Sequence, residues 1–308
     1  METPPLTEIA DGLKFPEGPV WRPDGSLLFV EIADGVVSKV APDGTKSTVA
    51  ETGGGPNGLA VGPDGALYVC NNGGCFDWID FGGMLLPGPL PGDWKGGSIQ
   101  RIEPDTGVVT TLYAKCDGHP LRAPNDLVFD AHGGFWFTDH GVRDEHARTS
   151  DLTGVYYAKA DGSSITMPIF PLEAPNGVGL SPDGDHLYVA ETHTTRVYTW
   201  DLEGPGHAVI QPGAFSHGGT QLAAPGGLKR FDSLAVDSEG NVVVGTLGTG
   251  GLTIVEPSGL HEFLELPDPL VTNVCFGGPD LRTAYATLSG AGRIVSFTWP
   301  RAGLALNH

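Results

Sequence analysis

Residues 174–192 read APNGVGLSPDGDHLYVAET and contain two short apolar runs bounded by turn residues. Asn-Gly opens the stretch and Pro-Asp-Gly separates the runs, and both are strong turn signals. Each run is too short for a helix, so the stretch predicts the two strands of a β-hairpin. The turn residue Asp183 follows Asn176 by seven positions.

The same seven-residue spacing recurs five more times along the chain. The leading residues, called the anchors below, are Glu17, Asn57, Asn125, Asn176, Asp232 and Asn273, separated by 40, 68, 51, 56 and 41 residues. A second set, called the strand-end residues, follows its anchors by fourteen positions, or fifteen in the fourth copy: Glu31, Asn71, Asp139, Glu191, Thr246 and Thr287. Repeats of this length with several short strands are typical of propeller blades.

The repeat therefore predicts an all-β fold, a six-bladed β-propeller that forms a single domain over residues 1–308. The last copy has too few residues left for four strands. We expect the N-terminal run at 6–10 to pair with residues 293–299 and close the ring, because an open ring would expose strand edges.

Residues 72–97 account for the longest gap between anchors and form a Gly- and Pro-rich segment without periodicity. Long loops of this kind are often functional. The segment carries Phe76, Trp78, Phe81, Met84 and Trp94. We expect a lid or rim over the channel mouth, with packing against a neighbouring blade as the alternative.

The composition narrows the range of partners and functions. The net charge is −20, with 17 Lys and Arg against 37 Asp and Glu, so binding to nucleic acid or to acidic membranes is not expected. No apolar window reaches transmembrane length, and the N-terminus lacks signal-peptide features, which predicts a cytoplasmic location. The chain contains no GxSxG, GxxxxGK[ST] or HExxH motif, which argues against serine esterases, nucleotide-binding P-loops and zincins.

The cysteines at 70, 75, 116 and 275 show no zinc-binding spacing. Cys70 and Cys275 lie inside apolar runs, which favours reduced, buried thiols. A disulfide between Cys70 and Cys75, or between Cys75 and Cys116, is the alternative.

The anchors should meet, because the first strand of each propeller blade lines the central channel. All six carry side-chain oxygens. Turn formation explains Asn57 and Asn273, but glutamate is a poor turn residue and Glu17 needs another reason. Carboxylate and amide oxygens are ligands for a hard divalent cation such as Ca²⁺. Without a cation, Glu17 and Asp232 would repel each other in a desolvated channel mouth.

Several motifs resemble the gluconolactonase, senescence-marker-protein and luciferin-regenerating-enzyme family: FPEGPVW, APNDLVFDAHGGFWFTD, APNGVGLSPDG, FDSLAVDSEG and TNVCFGGPDLRTAYAT. The resemblance runs from about residue 13 to about residue 298. It implies a six-bladed propeller with one divalent metal ion in the channel mouth, and hydrolysis of a small-molecule lactone. Ca²⁺ is the expected ion, and Zn²⁺, Mn²⁺ and Mg²⁺ remain open.

The same resemblance implies roles for individual residues. The expected metal ligands are Glu17, Asn176 and Asp232, with Asn125 as a fourth or nearby ligand that also contacts substrate. Arg122 corresponds to a substrate-contacting arginine, and Asp232 to the general base. His140 is a further candidate for substrate binding, with a plain polar loop residue as the alternative, and Arg122 could instead form a salt bridge.

A cation in this mouth could polarise the carbonyl of a lactone, and a neighbouring carboxylate could take the proton from the attacking water. The expected activity is therefore metal-dependent hydrolysis of a cyclic ester by a metal-activated water. Two alternatives remain: a catalytically idle binding scaffold with a structural cation, and a phosphotriesterase-like hydrolase. The pair of carboxylates, Glu17 and Asp232, favours the enzyme.

Overall fold

The computed structural model describes residues 3–213 and 215–307, and over these ranges the regular structure consists of strands without any helix. Accordingly, the described part of the chain contains no helix that could cross a membrane. The strands, in chain order, are β1 (Thr7–Ala10), β2 (Pro16–Trp21), β3 (Leu27–Glu31), β4 (Val36–Val40), β5 (Lys46–Glu51), β6 (Pro56–Val61), β7 (Leu67–Asn71), β8 (Trp78–Phe81), β9 (Met84–Pro87), β10 (Ser98–Glu103), β11 (Val108–Tyr113), β12 (Lys115–Cys116), β13 (His119–Pro120), β14 (Pro124–Phe129), β15 (Gly134–Asp139), β16 (Arg143–Asp144), β17 (Thr149–Ser150), β18 (Thr153–Lys159), β19 (Ile165–Leu172), β20 (Pro175–Leu180), β21 (His186–Glu191), β22 (Arg196–Gly204), β23 (His207–Ala208), β24 (Thr220–Ala223), β25 (Lys229–Val236), β26 (Val242–Gly248), β27 (Gly251–Val255), β28 (His261–Glu265), β29 (Val271–Gly277), β30 (Thr283–Leu288) and β31 (Arg293–Thr298).

Six antiparallel sheets form the blades, as the repeat predicts. From first to last they are β2-β3-β4-β5, β6-β7-β10-β11, β14-β15-β18-β19, β20-β21-β22-β24, β25-β26-β27-β28 and β29-β30-β31-β1, with β23 also pairing with β22. Three two-stranded hairpins, β8-β9, β12-β13 and β16-β17, lie outside the blades. An anchor lies in the first strand of each blade, and these strands contact one another in order around the ring.

The ring closes through the N-terminal strand, and this prediction is confirmed. Strand β1 pairs antiparallel with β31, so that Thr7 lies opposite Ser296 and Glu8 opposite Val295. The N-terminus thus supplies the outermost strand of the sixth blade. The core lies between neighbouring blades, where Trp136, Trp200 and Trp299 are among the largest fully buried side chains.

Aspartates form the hairpin turns that set the seven-residue spacing. Asp24 accepts a hydrogen bond from the Ser26 amide at 2.9 Å, and Asp64 accepts one from the Ala66 amide at 3.1 Å. In the third and fifth blades an aspartate two positions earlier has this role. Asp130 and Asp237 each bind the amides two and four residues further on. The seventh position is therefore free to be His132 or Glu239 in those blades.

Most strand-end residues fasten the loop that leads into their own anchor. Asp139, for example, accepts hydrogen bonds from the amides of Arg122 and Ala123 at 2.6 and 2.7 Å, just ahead of Asn125. The equivalent bonds run from Lys14 to Glu31, from Gly55 to Asn71, from Glu173 to Glu191 and from Asn273 to Thr287, at 3.0, 3.0, 2.8 and 2.8 Å. The second polar position of the repeat thus has a structural function.

All four cysteine thiols are free and buried, as the sequence favours. The two disulfides considered as alternatives do not form. Burial raises the pKa of Cys75 and of Cys275 to about 12, so these thiols are protonated at neutral pH.

Candidate active site

The anchors converge at the end of the channel where the innermost strands begin. A cavity of about 200 Å³ there is lined by five of the six anchors: Glu17, Asn57, Asn125, Asn176 and Asp232. The sixth, Asn273, donates a hydrogen bond from Nδ2 to Oε2 of Glu17 at 2.7 Å. The spacing of the repeat therefore brings residues from six blades to one place.

Two oxygens in this cavity are buried without a hydrogen-bond partner in the protein. They are Oε1 of Glu17 and Oδ1 of Asn125. Buried polar atoms are nearly always paired, because an unpaired one loses the free energy of its hydration. Two unpaired acceptors on residues that line one cavity indicate a place prepared for an electropositive ligand.

Three carboxyl groups lie close enough at this point to affect one another's ionisation. Burial raises the pKa of Glu17 to about 7, although Asn273 and the Gly18 amide donate hydrogen bonds to it. Burial, followed by the charge of Glu17, raises the pKa of Asp126 to about 8 and also raises the pKa of Asp232 well above its usual value. The negative charges therefore oppose one another in the absence of a cation.

Asp126 was not singled out from the sequence, although a signal exists. The residue after the anchor is glycine in three blades, whereas in the third blade it is aspartate. A Cβ atom placed on Gly58 would lie 2.7 Å from Cα of Asp126, so the neighbouring inner strands approach too closely for a side chain there. Asp126 carries a charged side chain at this position, is buried, and its Oδ2 accepts from the Val178 amide at 3.4 Å.

Neighbouring hydroxyl groups orient the Asn176 side chain. Its Nδ2 donates to Oγ1 of Thr192 at 3.1 Å, and its Oδ1 accepts from Oγ of Ser233 at 3.3 Å. Asp232 precedes Ser233 on β25, and the nearby amide of Asn176 lowers the pKa of its carboxyl group against the larger, opposite effect of burial. Asn176 and Asp232 therefore form one polar group across the boundary of two blades.

The structure places the two other predicted substrate contacts differently. His140 lines the cavity, and its Nδ1 lies 3.1 Å from the carbonyl oxygen of Gly141, to which it donates. Arg122 does not line the cavity: its Nε lies 2.7 Å from Oδ2 of Asp151, and its guanidinium lies 4.6 Å from the centre of the Trp94 ring. This salt bridge is the alternative considered for Arg122, and contact with substrate remains a prediction.

A second regularity of the repeat identifies cavity residues that the anchor pattern missed. The residue directly after the strand-end residue lines the cavity in five blades: Ile32, Asn72, His140, Thr192 and Leu247. His193 and Arg230 line it as well. The five residues of the first group share one place in the repeat, directly after the strand-end residue, but their position in the cavity becomes apparent only from the structure.

The segment 72–97 contributes to the cavity wall through Cys75, Phe76 and Pro87. Its hairpin β8-β9 contacts the sixth blade, where the Leu85 amide donates to the Gly290 carbonyl at 2.9 Å. The Trp78 ring centre lies 5.0 Å from that of Phe15. The segment is ordered against the mouth, and its function as a lid remains a prediction.

A larger cavity of about 470 Å³ occupies the other part of the channel. It is lined mainly by the innermost strands and by the C-terminal residues Leu304, Ala305, Leu306 and Asn307. Of the anchors, only Asn273 reaches it. We therefore place the candidate site in the smaller cavity, where the polar groups converge.

The metal question depends on amide as well as carboxylate oxygens. Among residues 3–213 and 215–307, no group of three or more His, Cys, Asp or Glu side chains is arranged as a metal site. The predicted ligand set of Glu17, Asn125, Asn176 and Asp232 contains two carboxylates and two amides. It has fewer than three His, Cys, Asp or Glu side chains, so the absence of such a group does not exclude it.

The fold and site together define a six-bladed β-propeller with a ring of buried oxygen-bearing side chains at one end of its channel. The family model for the SMP-30/gluconolactonase/LRE-like region matches residues 15–290, and the chain belongs to this family. This result confirms the resemblance seen in the sequence motifs.

Individual relatives agree with this assignment. The chain is 30% identical over 260 residues to the lactonase Drp35 of Staphylococcus epidermidis, covering 83% of this chain and 70% of the relative. It is 26% identical over 297 residues to a gluconolactonase of Zymomonas mobilis, covering 89% and 76%.

Solved structures share the fold. A gluconolactonase from Xanthomonas campestris superposes with a TM-score of 0.74 at 21% identity, covering 96% of this chain and 90% of that one. A calcium-binding protein, regucalcin, from Agrobacterium tumefaciens gives a TM-score of 0.73 at 17% identity, covering 99% and 97%.

Proposed function

We propose that this protein is a lactonase that opens a cyclic ester at the cavity formed by the anchors. The observation that carries the proposal is the pair of unpartnered buried oxygens, on Glu17 and Asn125, beside the carboxylate of Asp232. The names of two relatives, a lactonase and a gluconolactonase, support the reaction class.

The donor atoms fit a divalent cation, and Ca²⁺ is the first choice. Carboxylate and amide oxygens are hard ligands, and the Asn residues keep the charge of the site close to that of the ion. The clash among the carboxylates of Glu17, Asp126 and Asp232 disappears when a positive charge lies among them. The name of a structural neighbour, a calcium-binding regucalcin, agrees with this choice. Zn²⁺, Mn²⁺ and Mg²⁺ are the alternatives.

Glu17, Asn125, Asn176 and Asp232 would hold the cation, which when bound would supply Lewis-acid polarisation of the substrate carbonyl. Asp232 then accepts a proton from a water molecule, whose oxygen bonds to the carbonyl carbon. The bond from that carbon to the ring oxygen breaks, and the ring oxygen takes the proton from Asp232, which restores the carboxylate. The product is a hydroxy acid, which is ionised at neutral pH.

The cavity residues outside the ligand set position the substrate. His140 donates from Nδ1 to the Gly141 carbonyl, so Nε2 is free to accept a hydrogen bond from a substrate hydroxyl. Its pKa is lowered by burial, which keeps the ring neutral. Phe76 and Pro87 provide an apolar wall and exclude water from one side. Arg122, with its salt bridge to Asp151, would contact only a substrate that extends beyond the cavity.

The test is a proton-release assay over a panel of sugar, aromatic and alkyl lactones, with phosphotriesters included, before and after treatment with a chelator. We expect turnover of at least one lactone, loss of that turnover in chelator and recovery on addition of Ca²⁺. A protein that binds Ca²⁺ but turns over no member of the panel would be a scaffold. Turnover of phosphotriesters alone would identify the other hydrolase class.

A further inference from the structure

One wall of the cavity carries a positively charged side chain that the proposed reaction does not use. Arg230 is the only lysine or arginine among the residues that line the cavity, and it lies two positions ahead of Asp232 on β25. Its side chain is exposed. Within the described part of the chain, Arg230 makes no salt bridge, whereas Arg122 and Arg143 are paired with Asp151 and Glu173.

Two histidines line the same cavity as this arginine. The ring centres of His140 and His193 are 5.4 Å apart, and both rings line the cavity. Nδ1 of His193 is buried and has no hydrogen-bond partner. Burial, then the neighbouring His140, Arg143 and Arg230, lower the pKa of His193 to about 3, so it is a neutral ring that can donate one hydrogen bond.

Arg230 differs from the other lysines and arginines of the chain in lining the cavity, and no carboxylate of the described residues forms an ion pair with it. A guanidinium can hold a carboxylate with two parallel hydrogen bonds, which makes it the preferred group for recognising that anion. An unpaired arginine beside an unpaired imidazole therefore indicates a subsite for an anionic group of the ligand.

We propose that the substrate is a lactone that carries an ionised carboxylate, and that Arg230 together with His193 binds that carboxylate. This inference rests on the proposed lactonase function and names its substrate class. The ester would lie at the end of the cavity where Glu17, Asn125 and Asp232 would hold the cation, and the carboxylate would lie against Arg230. The chain would thus distinguish acidic lactones from neutral ones by a single guanidinium.

Charge and size limit the ligand further. A phosphate group carries close to two negative charges at neutral pH, and Arg230 is the only permanent positive charge in the wall. A carboxylate matches that single charge. The cavity volume of about 200 Å³ is below the ~300–1,000 Å³ of pockets for drug-sized ligands, so it suits one ring with a short substituent.

The test compares two γ-lactones that differ in one group, 5-oxotetrahydrofuran-2-carboxylate and 5-(hydroxymethyl)dihydrofuran-2-one. The wild-type protein should have the higher kcat/KM for the carboxylate. Arg230→Gln should lower kcat/KM for the carboxylate roughly 10- to 100-fold, since it removes a charge-assisted bond, and should change the value for the alcohol little. Arg143→Gln is the matched control, because it removes a positive charge nearby from a residue that does not line the cavity.

A binding measurement separates this inference from the proposed reaction. Tetrahydrofuran-2-carboxylate has no ester to hydrolyse, and its binding is measured by calorimetry with wild type and Arg230→Gln. Binding that needs Arg230, without hydrolysis of any lactone, would support the subsite and refute the lactonase function. Equal or lower kcat/KM for the acidic lactone, or a preference that survives in Arg230→Gln, would overturn the subsite.

Discussion

The anchors and the strand-end residues are two rings of buried polar side chains built from one repeat, and they differ in how their oxygens are used. The strand-end residue Asp139 accepts three backbone hydrogen bonds, from Arg122, Ala123 and Gly141. The anchor Glu17 keeps one oxygen without a partner and has a pKa raised to about 7. The strand-end ring satisfies the backbone of its own blades, whereas the anchor ring leaves unpaired oxygens for a ligand. Structural and functional positions of this fold thus differ in whether the buried polar side chain finds hydrogen-bond partners within the protein, more than in residue type.

Asp232→Asn should have the largest effect on activity. The amide keeps an oxygen ligand but cannot accept the proton of the attacking water, so kcat should fall about 100-fold or more at saturating Ca²⁺. Steady-state kinetics on the best lactone of the panel measures this. Glu239→Gln, in the turn of the same blade, is the control and should retain wild-type kcat. Full turnover in Asp232→Asn would move the base to another group.

Asn71→Ala examines the strand-end ring and should affect stability instead. Asn71 accepts hydrogen bonds from the Gly55 and Gly73 amides at 3.0 and 2.8 Å and donates to the Gly53 carbonyl at 2.8 Å. Losing these bonds in the interior should lower the free energy of unfolding by about 2–3 kcal/mol. Urea denaturation gives this value. A variant with wild-type stability but lost activity would reverse the proposed division between the rings.

Glu17→Gln should weaken cation binding by roughly tenfold, because a hard divalent cation prefers a charged oxygen to a neutral one. Activity should return in part when Ca²⁺ is raised, since the catalytic carboxylate remains. A titration of kcat/KM against free Ca²⁺ measures both effects. Activity that is low at every Ca²⁺ concentration would indicate a catalytic rather than a ligand role for Glu17.

The metal-free protein should lose stability as the pH rises. The pKa is raised from 4.5 to about 7 for Glu17 and from 3.8 to about 8 for Asp126, so the folded state holds protons that the unfolded state has released. Stability is then highest below these unfolded values and falls as the pH rises through the folded ones. Thermal unfolding in chelator between pH 5 and 8.5 should show a falling Tm, with a smaller slope in Glu17→Gln. A flat or rising Tm would contradict the raised pKa values.

Trimming residues 80–92 tests the smallest contribution, that of the rim. Phe76 and Pro87 line the cavity, so removing the hairpin that holds them should raise KM for the best lactone severalfold and leave kcat less affected. A shortened protein with unchanged KM and kcat would show that the segment only packs against the neighbouring blades.

The sequence predicts the ring and its polar mouth because both follow from local spacing. Asp-Gly marks the hairpin turn in the first, second and fourth blades, and the seven-residue spacing extends the pattern to the other three. Six such copies around one axis bring Glu17 and Asp232 to the same end of the channel. The surroundings of Arg122 and Arg230 could not be predicted in the same way. Arg122 pairs with Asp151 from a later loop of the third blade, and Arg230 of the fifth blade lies near enough to His193 of the fourth to lower its pKa. Both arrangements depend on side chains from segments that are distant in the sequence.

Asp126 shows a further limit of predicting site residues from an alignment of the repeats. Aligning the blades on the anchor draws attention to what recurs, and the aspartate recurs in no other copy at that position. Its burial and its interaction with Glu17 become apparent only when the innermost strands are placed around the channel.

Calorimetric titration of the metal-free protein with Ca²⁺ at pH 7, in two buffers of different ionisation enthalpy, tests the central claim most directly. The claim is that the unpartnered oxygens of the anchor ring form a cation site. It predicts one Ca²⁺ per chain with release of protons from the carboxyl groups, and weaker binding in Glu17→Gln but not in Asn71→Ala. Absence of Ca²⁺ binding, together with undiminished lactone turnover in chelator, would contradict it.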